Sequence, residues 1–193
     1  MMYFHKKESG FSLVETLVAI SILLIVIVGP MTISMRTAKS SSFASEQIQA
    51  FFLAQEGLEL AQKTRDDLLL RNFLTTGPLL NPWATFTNPS GTYANCFLST
   101  GCGLQWGGTP GSLAVPLSCS VTSCLLYRAA GGRGWFTHGS VGTTPTIFTR
   151  RIYYSGSGAA IQVRSVVTWR TGSLVTEQRV QVDTYLYNIY ATP

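Results

Sequence analysis

Charge is scarce in this chain. Asp, Glu, Lys and Arg make up 12% of the 193 residues, against 46% hydrophobic, a balance that a membrane segment explains better than a solvated globule does. Histidine is scarcer still, with only His5 and His138. Beyond Asp67 the acids are Glu177 and Asp183 alone. Catalysis needs at least a positioned acid, base or nucleophile pair, and the sequence offers none. HGSVG, residues 138–142, has histidine where the first glycine of a G-x-S-x-G elbow belongs. GGRG, residues 131–134, lacks the strand, helix and lysine context of a phosphate loop. His138 is therefore read as a residue near a hairpin turn, and no catalytic residue, metal or cofactor is predicted. The formal net charge is +5, but the basic residues are scattered, with Arg150–Arg151 the one adjacent pair after Lys6–Lys7. No basic cluster with interleaved aromatics points to a nucleic-acid partner.

An apolar stretch without charge runs over residues 16–35. At 1.5 Å per residue it is long enough to cross a hydrocarbon core of about 30 Å. Lys6 and Lys7 precede it, so the positive-inside rule places the N-terminus in the cytoplasm and everything after Arg36 outside. Gly29-Pro30-Met31-Thr32-Ile33 follows Val28 with no A-x-A pattern, which argues against a removable secretory signal. A plain signal anchor explains the topology and leaves Glu15 unexplained, because a lone carboxylate at depth in a bilayer is expensive.

Lys6-Lys7-Glu8-Ser9-Gly10, then Phe11-Ser12-Leu13-Val14-Glu15, then the apolar run, resembles the leader and N-terminus of type IV prepilins. The resemblance implies that a prepilin peptidase cuts on the cytoplasmic side after Gly10. It implies N-methylation of the new terminus at Phe11 and retention of the helix. Glu15 then pairs with the N-terminal ammonium of a neighbouring subunit, which offsets the cost of its charge and sets the axial register between helices. On this reading residues 1–10 are a leader, 11–35 a transmembrane or filament-core helix, and 36–193 a globular head.

Gly29-Pro30 interrupts the apolar run. Proline removes a backbone donor and clashes with the preceding turn, so a kink or local melting is predicted there. Beyond it Phe43, Ile48, Phe51, Ala54, Leu58, Ala61 and Leu68 recur at helical spacing, with Glu46, Gln49, Glu56, Glu59, Lys63 and Asp66 on other faces. One helix is predicted over residues 12–71, with Gly57 its weak position.

Residues 75–146 are rich in Gly, Pro, Ser and Thr, with turn signals at Asn81-Pro82, Asn88-Pro89 and residues 107–110, and read as loops. All four cysteines, Cys96, Cys102, Cys119 and Cys124, lie there. Their spacing is loose for zinc and the topology puts them where thiols oxidise, so two disulfides are favoured over a zinc site or free thiols. Four cysteines allow three connectivities. Cys96–Cys102 with Cys119–Cys124 is preferred because each pair closes a short loop. Trp83, Trp106 and Trp135 are read as core rather than as binding platforms.

TIFTRRIYYS, AAIQVRSVVTWR and SLVTEQRVQVDTYLYNIY, residues 146–155, 159–170 and 173–190, are rich in β-branched and aromatic residues and separated by glycine turns. Ile161, Val163, Ser165 and Val167 alternate with Gln162, Arg164 and Thr168, which predicts an antiparallel sheet with one face covered. CSVTSCLLYR and GWFTHG are candidates for an edge hairpin. Helix first and sheet afterwards makes the class α+β, a long N-terminal helix packed on a C-terminal antiparallel sheet at about residues 147–190, with the helix reaching about residue 74.

FLAQEGLELAQKTRDD, the loop cysteines and the TPTIFTRRI…VVTW ending are similar to PilV-like minor pilins. The resemblance implies a structural subunit of a type IV pilus or pilus-like filament. Its implied partners are prepilin peptidase, other pilin subunits with their assembly machinery, and the membrane. It also implies a single-pass membrane protein that ends in a filament at the cell surface. A pseudopilin of a type II secretion system, a tethered adhesin-like module and a membrane-anchored enzyme are the alternatives.

Overall fold

One helix, α1, runs over Leu13–Leu74. The computed structural model describes residues 10–74, 81–106, 114–119, 124–130, 135–171 and 176–189. The residues before Gly10 that are predicted as a leader, the turn signal at 107–110 and the glycine run at 131–134 lie outside them. The chain divides into two units, Met1–Ser45 and Glu46–Pro193.

In the first unit every residue from 13 to 35 is exposed, although nearly all are apolar. This part of α1 is long and apolar enough to cross a membrane. A helix that is apolar all round needs lipid or other helices around it. Three of its hydroxyls are satisfied internally: Thr16 Oγ1 donates to Leu13 O, Ser21 Oγ to Leu17 O and Thr32 Oγ1 to Gly29 O, each at 2.8 Å. Such back-bonding lets serine and threonine sit in an apolar helix without an orphaned donor. The helix continues through Gly29 and Pro30, so of the kink or local melting predicted there a kink is what helical continuity leaves open.

In the second unit α1 buries Ala50, Leu53, Ala54, Gly57, Ala61, Thr64, Arg65 and Leu69. The predicted stripe is borne out in part. Ala54 and Ala61 are buried and Leu58 and Leu68 pack partly buried on the core, but Ile48 and Phe51 are 58% and 44% exposed. The fully buried positions are largely small residues, which bring the helix backbone close to the sheet. A periodicity weighted toward bulky side chains misses Ala50 and Gly57.

The region predicted as loops holds more order than composition suggested. Asn81 starts a short helix, α2 (Pro82–Thr87): its side chain accepts from Ala84 N at 3.0 Å and Pro82 opens the first turn. Asn-Pro here is a cap followed by a residue with no donor to lose, rather than a plain turn. A 3-10 turn (Ala94–Phe97) and strands β1 (Cys102–Gln105) and β2 (Val115–Ser118) follow. These strands are too short for alternation to be read.

The predicted hairpin is present as β3 (Leu125–Ala129) and β4 (Phe136–Thr137), with Tyr127 opposite Thr137. Then come β5 (Thr143–Ser155), β6 (Ala160–Trp169) and β7 (Gln178–Tyr187). Every pairing among the described strands is antiparallel, and β5–β6–β7 form a meander in which Ile152 faces Ser165 and Ser165 faces Val182. The other edge of β5 pairs with β3 along its first part and with β1 at Ile152. As the alternation predicted, Ile161, Val163, Ser165 and Val167 are buried. The core gathers Trp83, Phe86, Tyr93 and Tyr154 with Ile161 and Val163. Phe86 sits 5.8 Å from Tyr93 and 5.1 Å from Tyr154 between ring centroids, inside the range where aromatic pairs add to plain burial.

Candidate functional site

Gly10, Phe11 and Glu15 stand together at the start of α1. The first turn closes on Ser12, whose carbonyl accepts from Glu15 N (3.0 Å) and Thr16 N (3.2 Å). Glu15 thus lies in the first turn, where unsatisfied backbone N–H groups give the helix its partial positive charge and favour an acid. Its side chain is exposed and makes no ion pair among the described residues. Phe11 is 77% exposed, and a Cβ built on Gly10 meets nothing within 4 Å. A side chain at position 10 therefore costs this fold nothing.

The second unit holds α1 against the sheet through polar contacts that sequence reasoning missed. Arg150, fully buried on β5, donates to Leu53 O (3.1 Å) and Leu104 O (3.3 Å) and pairs with Glu56 (NH1 to Oε2, 3.1 Å). Burial pushes its pKa down and Glu56 works against that shift. Glu46 Oε2 accepts from Trp169 Nε1 (3.2 Å) and from Thr171 Oγ1. Between these points Gly57 lies against the sheet. A Cβ there would collide with Ser165 Oγ and stand 3.1 Å from Arg150 Cδ. The signal for Arg150 was available: Phe148, Arg150, Ile152 and Tyr154 share one strand parity, which is the inward one.

The cysteines form two bridges, Cys96–Cys102 and Cys119–Cys124. Cys96 and Cys102 are wholly buried in the aromatic core. Next in sequence, Gly103 lies under both Cys124 and His138: a Cβ on it would come within 3.1 Å of Cys124 Sγ and 2.9 Å of the His138 ring. So β1 links one bridge to the neighbourhood of the other. His138 Nδ1 donates to Leu125 O (3.2 Å), while its Nε2 is buried without a partner among the described residues. Burial first, then the Arg150 charge, pushes the imidazole pKa down from 6.5 to about 4. The ring is a neutral packing group. Among the described residues no three metal-ligating side chains converge.

The three tryptophans divide. Trp83 is core, 7% exposed, with Nε1 donating to Gly158 O at 2.7 Å. Trp106 and Trp135 are 37% and 50% exposed and pack on each other. For these two the core reading is wrong, because both lie beside an open cavity on the head.

Residues 5–29 match the family described as the prokaryotic N-terminal methylation motif, a structural signature rather than an enzymatic one. It takes in Gly10, Phe11 and Glu15 and ends at Gly29, and it fits membrane anchoring through the apolar part of α1. Comparison of the chain with curated proteins and with solved structures gave no match.

Proposed function

We propose that this chain, type IV prepilin-like at its N-terminus, is a minor pilin. It is cut after Gly10 by a prepilin peptidase, N-methylated at Phe11 and assembled through α1 into a type IV pilus or pilus-like filament. The observation that carries this reading is the continuity of the methylation motif with a fully exposed apolar helix. Cleavage before the helix leaves that surface in the mature chain. In the membrane lipid covers it, and in a filament the helices of other subunits do.

Glu15 then meets the ammonium of a neighbour's processed terminus. In a low-dielectric surrounding such a pair is worth far more than in water, and it favours one axial offset over others. The head faces outward, which agrees with its two disulfides, since these persist in oxidising compartments. The partners on this reading are the peptidase, other pilins and their assembly machinery.

Co-expression with a prepilin peptidase tests the processing. The mature chain should begin at N-methylated Phe11 by peptide mass, and Gly10→Val should block the cut while leaving the fold intact. A retained Met1 under those conditions overturns the assignment. Sheared filaments decide the finer point: a small share of total pilin marks a minor subunit. Recovery only with a type II secretion apparatus marks a pseudopilin instead.

A further inference from the structure

The head carries an open cavity of 640 Å³, with Glu56, Gln105, Trp106, Trp135, Phe136 and Thr137 in its lining. That volume is in the range of small-ligand sites. Trp106 and Trp135 form adjoining walls, ring centroids 5.6 Å apart and planes at 72°. Both indoles keep a third or more of their surface open, although burying such rings is strongly favourable. Glu56 is the one charged residue among the described lining, which contains no Lys, Arg or His.

These features restrict what fits. An anion finds no cationic partner among the described lining residues. A flat sugar ring stacks on one aromatic plane, whereas two planes at 72° make a corner that suits a compact, rounded group. The faces of aromatic rings attract cations, tryptophan most strongly. Glu56 brings a carboxylate to this lining: its side chain is 37% exposed, and Oε2 is held by Arg150 at 3.1 Å. Arg150 lies wholly buried behind it, sharing its donors with Leu53 O and Leu104 O. The ion pair thus presents its carboxylate end to the cavity and keeps that group in place.

We propose that this cavity binds a trimethylammonium-type cation, held in the corner formed by the indoles of Trp106 and Trp135, with the Glu56 carboxylate in the same lining. The inference stands apart from the filament role, because it rests on the head alone. Choline headgroups and trimethylated lysine side chains both present this chemistry.

The test uses the full chain in micelles of a detergent free of choline, read by tryptophan fluorescence and calorimetry. Choline and a trimethyl-lysine peptide are titrated beside 3,3-dimethylbutan-1-ol, which has the same shape without the charge, and N-acetylglucosamine. Saturable binding of the cations with weaker binding of the alcohol is the expected result, and the tighter cation names the source. Trp135→Ala, at an exposed position, should weaken choline binding roughly tenfold. Glu56→Gln should weaken the cations while leaving the alcohol unchanged. If Glu56→Gln fails to fold, the comparison of choline with its uncharged isostere still decides. Equal binding of the alcohol, saturation by the sugar alone, or no saturation by either cation overturns the proposal.

Discussion

Arg150 on the sheet and Glu56 on α1 meet at 3.1 Å, the guanidinium wholly buried and the carboxylate side chain 37% exposed. Taking the cation out of water costs several kcal/mol, and the pair repays it only while both members remain. Glu56→Ala should therefore destabilise the head by roughly 2 kcal/mol, below a fully buried pair because water already reaches the carboxylate. Arg150→Met removes the charge and fills most of the space, so it should cost less than Glu56→Ala. Urea titration of the detergent-solubilised chain, followed by tryptophan fluorescence, gives the order. A larger loss for Arg150→Met would refute the account.

Gly57 is a weak helix former placed where the helix has no room for a side chain. Alanine there gains up to about 1 kcal/mol in propensity and loses more by pressing on Ser165 Oγ and Arg150 Cδ. The net effect should be a loss of roughly 1–2 kcal/mol. Combining it with Ser165→Gly should recover part of that loss, because the two sites share one gap. Simple additivity of the two variants would show that the contact is not limiting.

His138 gives the head a pH dependence of defined sign. Its pKa of about 4 in the folded protein lies below the ordinary 6.5. Between those values the unfolded chain takes up a proton that the folded chain refuses. Stability contributed by the neutral ring is therefore full above about pH 6.5 and falls as pH drops toward 4, by roughly 3 kcal/mol across the window. Carboxylates titrate in the same range, so the measurement is the difference between the wild type and His138→Gln. Urea midpoints at roughly pH 7, 5 and 4 should converge for the two chains as pH falls. Parallel curves would mean that the ring is protonated in the fold.

Glu15→Val leaves Gly10 and Phe11 untouched and makes the helix more apolar, so insertion and cleavage should proceed. Assembly should fail or slow, since a neighbour's terminal ammonium loses its partner in lipid. Glu15→Asp, with the charge kept and a shorter reach, should be intermediate. Membrane and sheared-filament fractions of the three chains are compared by immunoblot. Wild-type amounts of the valine variant in filaments remove the pairing mechanism and leave Glu15 as an acid suited to a helix N-terminus.

Local signals sufficed for some elements. The uncharged apolar run after Glu15 pointed to one long apolar helix, because a bilayer span is a property of consecutive residues. Alternation in β6 named its buried side, since successive side chains of a strand point to opposite faces. The inward face of α1 was legible only in part. Ala54, Leu58, Ala61 and Leu68 were named and pack inward, whereas Ile48 and Phe51 look like core and are exposed while Ala50 and Gly57 are buried, because close approach of a helix to a sheet selects small volume over hydrophobicity. Arg150 was noted in the sequence only as half of an adjacent basic pair, and the meeting of β5 with Glu56, Leu53 and Leu104 supplied the partners that let it be buried. Trp106 and Trp135, 29 residues apart in the chain, became adjoining walls through the pairing of β1 and β3 with β5 and of β4 with β3. The sequence alone determined the apolar helix, the strand parity and the short loops between cysteines, which depend on near neighbours. Tertiary structure decided which polar groups are buried and which aromatics are open, because both depend on partners far away along the chain.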